Sequence, residues 1–328
     1  MIHARGLART FKTRRGTVEA VTGVDIDVSA GELVGFLGPN GAGKSTTLRM
    51  LTTLIVPTAG TATVAGHDLL TDAAGIRRQI GYVGQNGGAG PDCIVADELI
   101  LQGRFYGLTS ARARTRATEL IEQLDLVGTE NRVVNTLSGG QRRRLDIAMG
   151  LMHLPTLMFL DEPSTGLDPQ SRANLWDHIR SLHAEHGTTL FLTTHYLDEA
   201  DALCDRILVI DTGRIVAEGT PDELKRRVSG DLVLVGAGEP ARVAELAAHL
   251  PGSSDVVVDG AGVRFRVPDG ARVLPALMRE LDAADIAMTS VEVRRPSLDD
   301  VFLAVTGRTL RDAETPTTPE PATAGASR

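Results

Sequence analysis

Lysine is almost missing from this 328-residue chain: only Lys12, Lys44 and Lys225 occur, and arginine carries nearly all the positive charge. Such a bias reflects base composition rather than function, and it makes a lysine in a chemically exacting place stand out. Cysteine is scarce too. Cys93 and Cys204 are too few for a disulfide framework, so a reducing compartment is expected, with both thiols acting as small apolar side chains. No apolar run approaches the roughly 18–20 residues needed to cross a bilayer, and His3, Arg5 and Arg9 interrupt any signal-like stretch. The chain is therefore expected neither to span a membrane nor to enter the secretory route. Excess positive charge is absent as well: the net charge of −8 argues against a nucleic-acid partner held by bulk electrostatics.

What is present is ordinary for a globular protein, with 42% hydrophobic and 23% charged residues. The length suggests one large domain and a smaller one. Residues 18–28 alternate apolar and polar as antiparallel strands do. A short apolar run at 33–37 leads into glycine-rich sequence and then a helical pattern over 45–54. A strand is expected to close at 81–85, helix is expected from about 96 to 127, and another helix from 138 to 152. Short apolar strands (157–160, 188–193, 206–210) then alternate with helices (170–186, 197–203), the order of a parallel sheet covered by helices. The character changes near 229. From there the pattern is strand, helix, strand, strand, helix, strand and a last short helix to 308, whose first six elements resemble a ferredoxin-like split βαβ. The tail at 309–328 lacks apolar periodicity and is expected to be disordered.

Gly38-Pro39-Asn40-Gly41-Ala42-Gly43-Lys44-Ser45-Thr46 fits G-x-x-x-x-G-K-[ST] between a strand and a helix. The glycines let successive N–H groups point at one anion, and the helix adds its N-terminal dipole. Lys44 would reach the β- and γ-phosphates of ATP, and the Ser45 hydroxyl would hold Mg²⁺. Residues 157–163 form an apolar strand ending in two carboxylates. Asp161 would bind Mg²⁺, and Glu162 would orient and deprotonate the attacking water. An acidic turn after a strand is common by itself; paired with a phosphate loop it points to nucleotide hydrolysis.

Leu137-Ser138-Gly139-Gly140-Gln141 resembles the signature sequence of ABC ATPases and lies a short way before the acidic strand, as in that family. The resemblance implies a P-loop ABC ATPase fold: a RecA-like core, an antiparallel β subdomain and a helical subdomain over 1–228. A small α+β domain follows at 229–308. It implies that the Ser138-capped helix, with the N–H groups of Gly139 and Gly140 and with Gln141, binds the γ-phosphate held by a second copy. It further implies that Gln85 touches the metal and the lytic water, and that 164–168, ending in Asp168, crosses the dimer interface. By the same resemblance His195 contacts the γ-phosphate and Phe11 stacks on adenine. The neighbouring arginines (Arg9, Arg14, Arg15, Arg112, Arg114, Arg116 and 142–144) are expected to be solvated.

Within the family, the segments 81–85, 138–148, 193–201 and 297–307 are similar to the daunorubicin/doxorubicin-resistance type of exporter ATPase. That type implies ATP and Mg²⁺ as cofactors, a homodimer of ATPase subunits and a separate transmembrane permease as partner. It places the chain in the cytoplasm, against the inner face of the membrane. The glycine-rich segment 86–95 departs from the family pattern beside the permease contact. A soluble ABC ATPase acting in DNA repair or translation is the rival reading. Against it stand the acidic charge, the single phosphate loop and the lack of a long heptad insert. A nucleotide sensor without turnover is opposed by Asp161, Glu162 and His195.

Overall fold

The first strands are long because apolar and polar residues alternate from the start of the chain. In the computed structural model, which describes residues 1–307 apart from Arg15, Ser229, Ala261 and the side chain of His186, two units separate at Glu218/Gly219. The expected disordered tail lies outside the described residues. The first unit begins with β1 (Ile2–Thr13), β2 (Gly16–Val28), β3 (Leu33–Leu37) and α1 (Lys44–Leu51). Next come β4 (Ala59–Val64), β5 (His67–Asp68), α2 (Ala73–Gln79), β6 (Ile80–Val83), α3 (Val95–Phe105) and α4 (Ser110–Gln123). It continues with α5 (Gly139–Leu151), β7 (Leu157–Asp161), α6 (Pro169–His186) and β8 (Thr189–Thr194), and ends with α7 (Leu197–Leu203), β9 (Arg206–Asp211) and β10 (Arg214–Gly219).

These strands form two sheets. One is antiparallel, in the order β2-β1-β4-β5. The other has the order β10-β9-β3-β8-β7-β6, with β9, β3, β8, β7 and β6 parallel. Of the parallel strands, β3, β7 and β8 are buried along their whole length because both faces are covered. Ile2, Leu7, Val21 and Ile26 of the antiparallel sheet share one core with Phe36, Leu48, Phe159 and Phe191. Alongside, α3, α4 and α5 pack on one another as a helical layer.

Three expectations are corrected here. The helix foreseen over 96–127 is two helices, because Gly107 takes a left-handed φ of 84° and Thr109 then caps α4 by accepting the N–H of Arg112. The helix foreseen to 54 stops at Leu51, with Thr53 at a left-handed φ of 64°. Cys204 is buried as foreseen, but Cys93 is exposed, on a loop that offers it no apolar cover.

The second unit begins at Gly219, ten residues before the break expected at 229. It opens with α8 (Pro221–Arg227), because α8 packs on the last helix of that unit. Then follow β11 (Asp231–Ala237), α9 (Pro240–Ala248), β12 (Ser254–Asp259), β13 (Gly262–Val267), α10 (Gly270–Ala283), β14 (Met288–Arg294) and α11 (Leu298–Thr306). The sheet order β12-β13-β11-β14, all antiparallel, is that of a split βαβ pair. Val233, Val235, Phe265, Leu277 and Leu281 give it a core of its own.

In the parallel sheet, Phe191 stands between Phe36 and Phe159, with ring centroids 5.6 and 5.7 Å away. Truncating the middle ring opens a cavity against both neighbours. Phe191→Ala is expected to lower unfolding stability by about 3–5 kcal/mol, read from urea denaturation of the full chain. A loss below about 1 kcal/mol would show that this contact is not central to the core.

Candidate functional site

The loop between β3 and α1 is shaped by two glycines that no other residue could replace. A Cβ on Gly38 would lie 2.2 Å from the carbonyl oxygen of Ile210, and one on Gly43 would lie 2.6 Å from that of Ala20. Gly43 also has φ 106°, which only glycine adopts readily. It caps α1 without any side-chain hydrogen bond, so the first N–H groups of the helix face the loop. Lys44 turns back inside the loop. Its Nζ donates to the carbonyls of Gly38 (2.8 Å) and Pro39 (3.2 Å) and lies 3.3 Å from Glu162 Oε1, with both side chains buried.

The acidic pair sits at the end of β7. Asp161 Oδ1 accepts from Ser45 Oγ at 3.0 Å and from Thr193 Oγ1 at 2.7 Å. Glu162 has a φ of 47°, a left-handed conformation that costs an ordinary residue about 1 kcal/mol. That conformation is held in part by its own N–H, which donates to both the carbonyl and the hydroxyl of Thr193 at 3.1 Å. The Glu162 carboxylate then meets two further site residues. Gln85, just past β6, donates to Oε2 at 3.0 Å, and His195 Nδ1, just past β8, lies 3.4 Å from the same oxygen.

Burial pushes the Glu162 carboxyl up, but the His195 ring and the Lys44 ammonium outweigh it and hold the group at about 2. Glu162 is thus ionised at any physiological pH. Among the described residues no three His, Cys, Asp or Glu side chains converge as a metal cage. A cation here would have the Ser45 hydroxyl and the Asp161 carboxylate, which suits a magnesium ion that keeps waters and takes phosphate oxygens.

The structure therefore gathers Lys44, Ser45, Gln85, Asp161, Glu162 and His195 in one place. Other expected residues lie outside that cluster. Ser138 caps α5 in a capping box: its Oγ accepts from Gln141 N at 3.2 Å, and Gln141 Oε1 accepts from Ser138 N at 3.1 Å. The Gln141 side chain is thereby engaged in its own helix. Asp168, exposed, caps α6 by accepting the Ser171 N–H and hydroxyl. Phe11 lies on β1 opposite Val18, with the Arg9 guanidinium over its ring at 4.7 Å.

Several contributors went unseen in the sequence. Thr193 ties β8 to both carboxylate positions, and the only hint was a hydroxyl at the end of an apolar strand. Arg143, expected to be solvated, is buried and donates to three backbone carbonyls. Arg144 is also largely covered, bonded to Asn174 and to Asp125 O (3.1 Å), while Arg142 is exposed as expected. Glu199 is fully buried against Ser164 and Trp176.

Comparison with known proteins accords with this geometry. The ABC transporter family profile matches residues 21–165, and the profile of the DrrA1-3-like ATP-binding protein C-terminal domain matches residues 219–306. The daunorubicin resistance ATP-binding protein DrrA3 of Streptomyces coeruleorubidus is 45% identical over 92% of this chain and 95% of its own length. The daunorubicin/doxorubicin resistance ATP-binding protein DrrA of Streptomyces peucetius is 43% identical over 96% of this chain and 94% of its own. Among solved structures, a dimeric ATP-binding cassette in a post-hydrolysis state, bound to ADP and phosphate, is similar at a TM-score of 0.62. It has 28% identity and covers 67% of this chain and 98% of that one. The similarity to drug-resistance ATP-binding proteins and to the ABC transporter profile disfavours the rival reading of DNA repair or translation.

The depressed Glu162 carboxyl sets a pH dependence. Its folded value lies below the ordinary 4.5, so its stabilisation is full above about 4.5 and is lost as pH falls towards about 2. Without nucleotide, Glu162→Gln is expected to be less stable than the parent by on the order of 3 kcal/mol at pH 7. The gap should narrow from pH 4.5 downward, as read from denaturant midpoints at each pH. A gap independent of pH between 7 and 3 would remove the ion pair from this account.

Proposed function

The chain belongs to the ABC transporter family, among the ATP-hydrolysing subunits of the daunorubicin/doxorubicin-resistance type, and we propose that two copies close on two ATP molecules to drive export through a separate membrane-spanning partner. The observation that carries this reading is the convergence of Lys44, Gln85 and His195 on the one carboxylate of Glu162.

The phosphate chain of ATP lies in the loop Gly38, Pro39, Asn40, Gly41, Ala42, Gly43, with the N–H groups at Lys44, Ser45 and Thr46 directed at it. Lys44 then exchanges one anion for another. A phosphate oxygen competes with Glu162 for the buried ammonium, and the carboxylate so released becomes a stronger base beside the attacking water. Gln85 and His195 orient that water and the γ-phosphate. Ser45 and Asp161 would hold Mg²⁺, which would supply positive charge against the phosphates. Phe11 stacks on adenine.

Each site is completed by the other copy. The Ser138 cap and the N–H groups of Gly139 and Gly140 approach the γ-phosphate across a two-fold axis, and the loop ending at Asp168 crosses beside them. Loss of the γ-phosphate removes the bridge and opens the dimer, which is the switch that moves the partner. Segment 86–107 is the docking region. Leu101 and Phe105 are exposed there, Phe105 at 75%, as apolar anchors for a partner's helices.

Among the described residues no helix is long and apolar enough to cross a membrane. We therefore assign the cargo path to the partner, and this chain to the cytoplasmic face, with no nucleic acid involved. Relatives include a linearmycin resistance protein of Bacillus subtilis at 37% identity and a Nod factor export protein of Ralstonia nicotianae at 38%. With the anthracycline-resistance relatives, these names favour a hydrophobic drug or lipid-like cargo.

Glu162→Gln is expected to retain ATP binding, lose phosphate release and accumulate an ATP-bound dimer, resolved by size exclusion with light scattering. Lys44→Ala is expected to lose ATP binding with the fold intact by circular dichroism. Wild-type turnover in the first, or unchanged ATP affinity in the second, contradicts the roles given to these residues.

A further inference from the structure

Helix α5 grips both loops that surround the hydrolytic carboxylate, and the grip is made by side chains bonded to the backbone of those loops. Arg143 lies within the second turn from the Ser138 cap and is 7% exposed. Its Nη1 donates to the carbonyl of Gly84 at 2.6 Å, its Nη2 to that of Asp161 at 2.9 Å and its Nε to that of Pro163 at 2.9 Å. Gly84 immediately precedes Gln85, while Asp161 and Pro163 bracket Glu162. Asp146, three residues further along α5 and also buried, accepts the N–H of Gly88 at 2.9 Å. The Gln85 loop is thus held at both ends by one helix, upstream through Arg143 and downstream through Asp146.

We propose that Arg143, assisted by Asp146, is a positioning residue that makes α5 a lever. The helix whose N-terminus reads the partner's ATP sets, within its own chain, the placement of Gln85 and Glu162. This rests on the function proposed above. The guanidinium suits the task because its planar fork presents diverging donors from all three nitrogens, whereas a lysine ammonium is a point charge. Rigid attachment matters here because Glu162 sits at a left-handed φ of 47°, and Arg143 holds the peptide plane before it and the one after Pro163. A shift of α5 moves the carbonyls on either side of Glu162 together with the one before Gln85. A lytic water displaced by about 1 Å loses on the order of a hundredfold in rate.

The test uses the purified full chain and four variants, with circular dichroism and thermal melts as the fold control. Arg143→Lys keeps the charge but cannot span three diverging carbonyls. It is expected to lower kcat by at least about tenfold while the KM for ATP stays within about threefold. Because both ATP-binding surfaces are intact, it should accumulate an ATP-bound dimer without any change at Glu162, a readout that a merely structural role would not produce. Asp146→Asn, which keeps an acceptor for Gly88, should lose less turnover than Asp146→Ala. Wild-type turnover in Arg143→Lys, or slow turnover with weakened ATP binding and no dimer, overturns the proposal. Glu162→Gln runs in parallel. If it traps the dimer while Arg143→Lys turns over normally, only the lever fails; if it traps none, the underlying function fails with it.

Discussion

A buried ammonium facing a buried carboxylate, Lys44 and Glu162 at 3.3 Å, is the constraint around which the first unit is organised. Removing two charges from water is tolerable only when each finds further partners. Lys44 finds the carbonyls of Gly38 and Pro39, and Glu162 finds Gln85 and Thr165. The fold supplies these partners through strand order. Along the chain β3 comes first, then β7, then β8, yet in the sheet β8 lies between the other two. Its C-terminal end therefore arrives between the phosphate loop and the acidic pair, bringing Thr193 and then His195. Ligand sites at the carboxyl ends of parallel strands are the rule for open α/β sheets. Here the crossover also provides the hydroxyl that joins Ser45's acceptor, Asp161, to the backbone of Glu162.

What could be read in the sequence was whatever the chemistry demands locally. Gly38 and Gly43 are forced by close backbone approaches, Lys44 by the anion it serves, and Asp161 and Glu162 by a strand that must end where charge is needed. The alternating strands and the split βαβ pattern were legible for a similar reason, since burial of one face or both writes a period into the residues. Arg143 was not legible, because its three partners are backbone carbonyls that leave no complementary side chain in the sequence. A run of three arginines looks like solvated charge, and only the fold distinguishes the exposed Arg142 from its buried neighbour. Gln141 is the converse case. It stands in a motif read for its ligand, and its side chain is spent on a capping box.

The glycine-rich segment after Gln85 shows how a departure from pattern can be made workable. Residues 87–90 are glycine and alanine and lack side chains that would anchor a loop, so the anchors come from elsewhere. Asp146 on α5 takes the N–H of Gly88, and Glu98 on α3 takes that of Gly90 at 2.7 Å. Burial raises the Asp146 carboxyl above its ordinary value, partly offset by the Gly88 N–H and the nearby Arg143. The two carboxylates sit on different helices of the helical layer, so the loop's course depends on how α3 and α5 pack.

Every residue gathered at Glu162 comes from the first unit, and the second contributes none among the described residues. Its sheet closes on α9 and α10 around Phe265, Leu277 and Leu281, a core separate from the one beneath the phosphate loop. The side chains that surround Glu162 are therefore set by the first unit's sequence. Yet relatives align with this chain over more than nine-tenths of its length, and a profile specific to one type of subunit matches residues 219–306. The second unit has a core of its own and supplies no described side chain to the Glu162 cluster. Likeness to this type of subunit is thus spread over both units: the segments 81–85, 138–148 and 193–201 lie in the first, and the matched C-terminal profile covers the second.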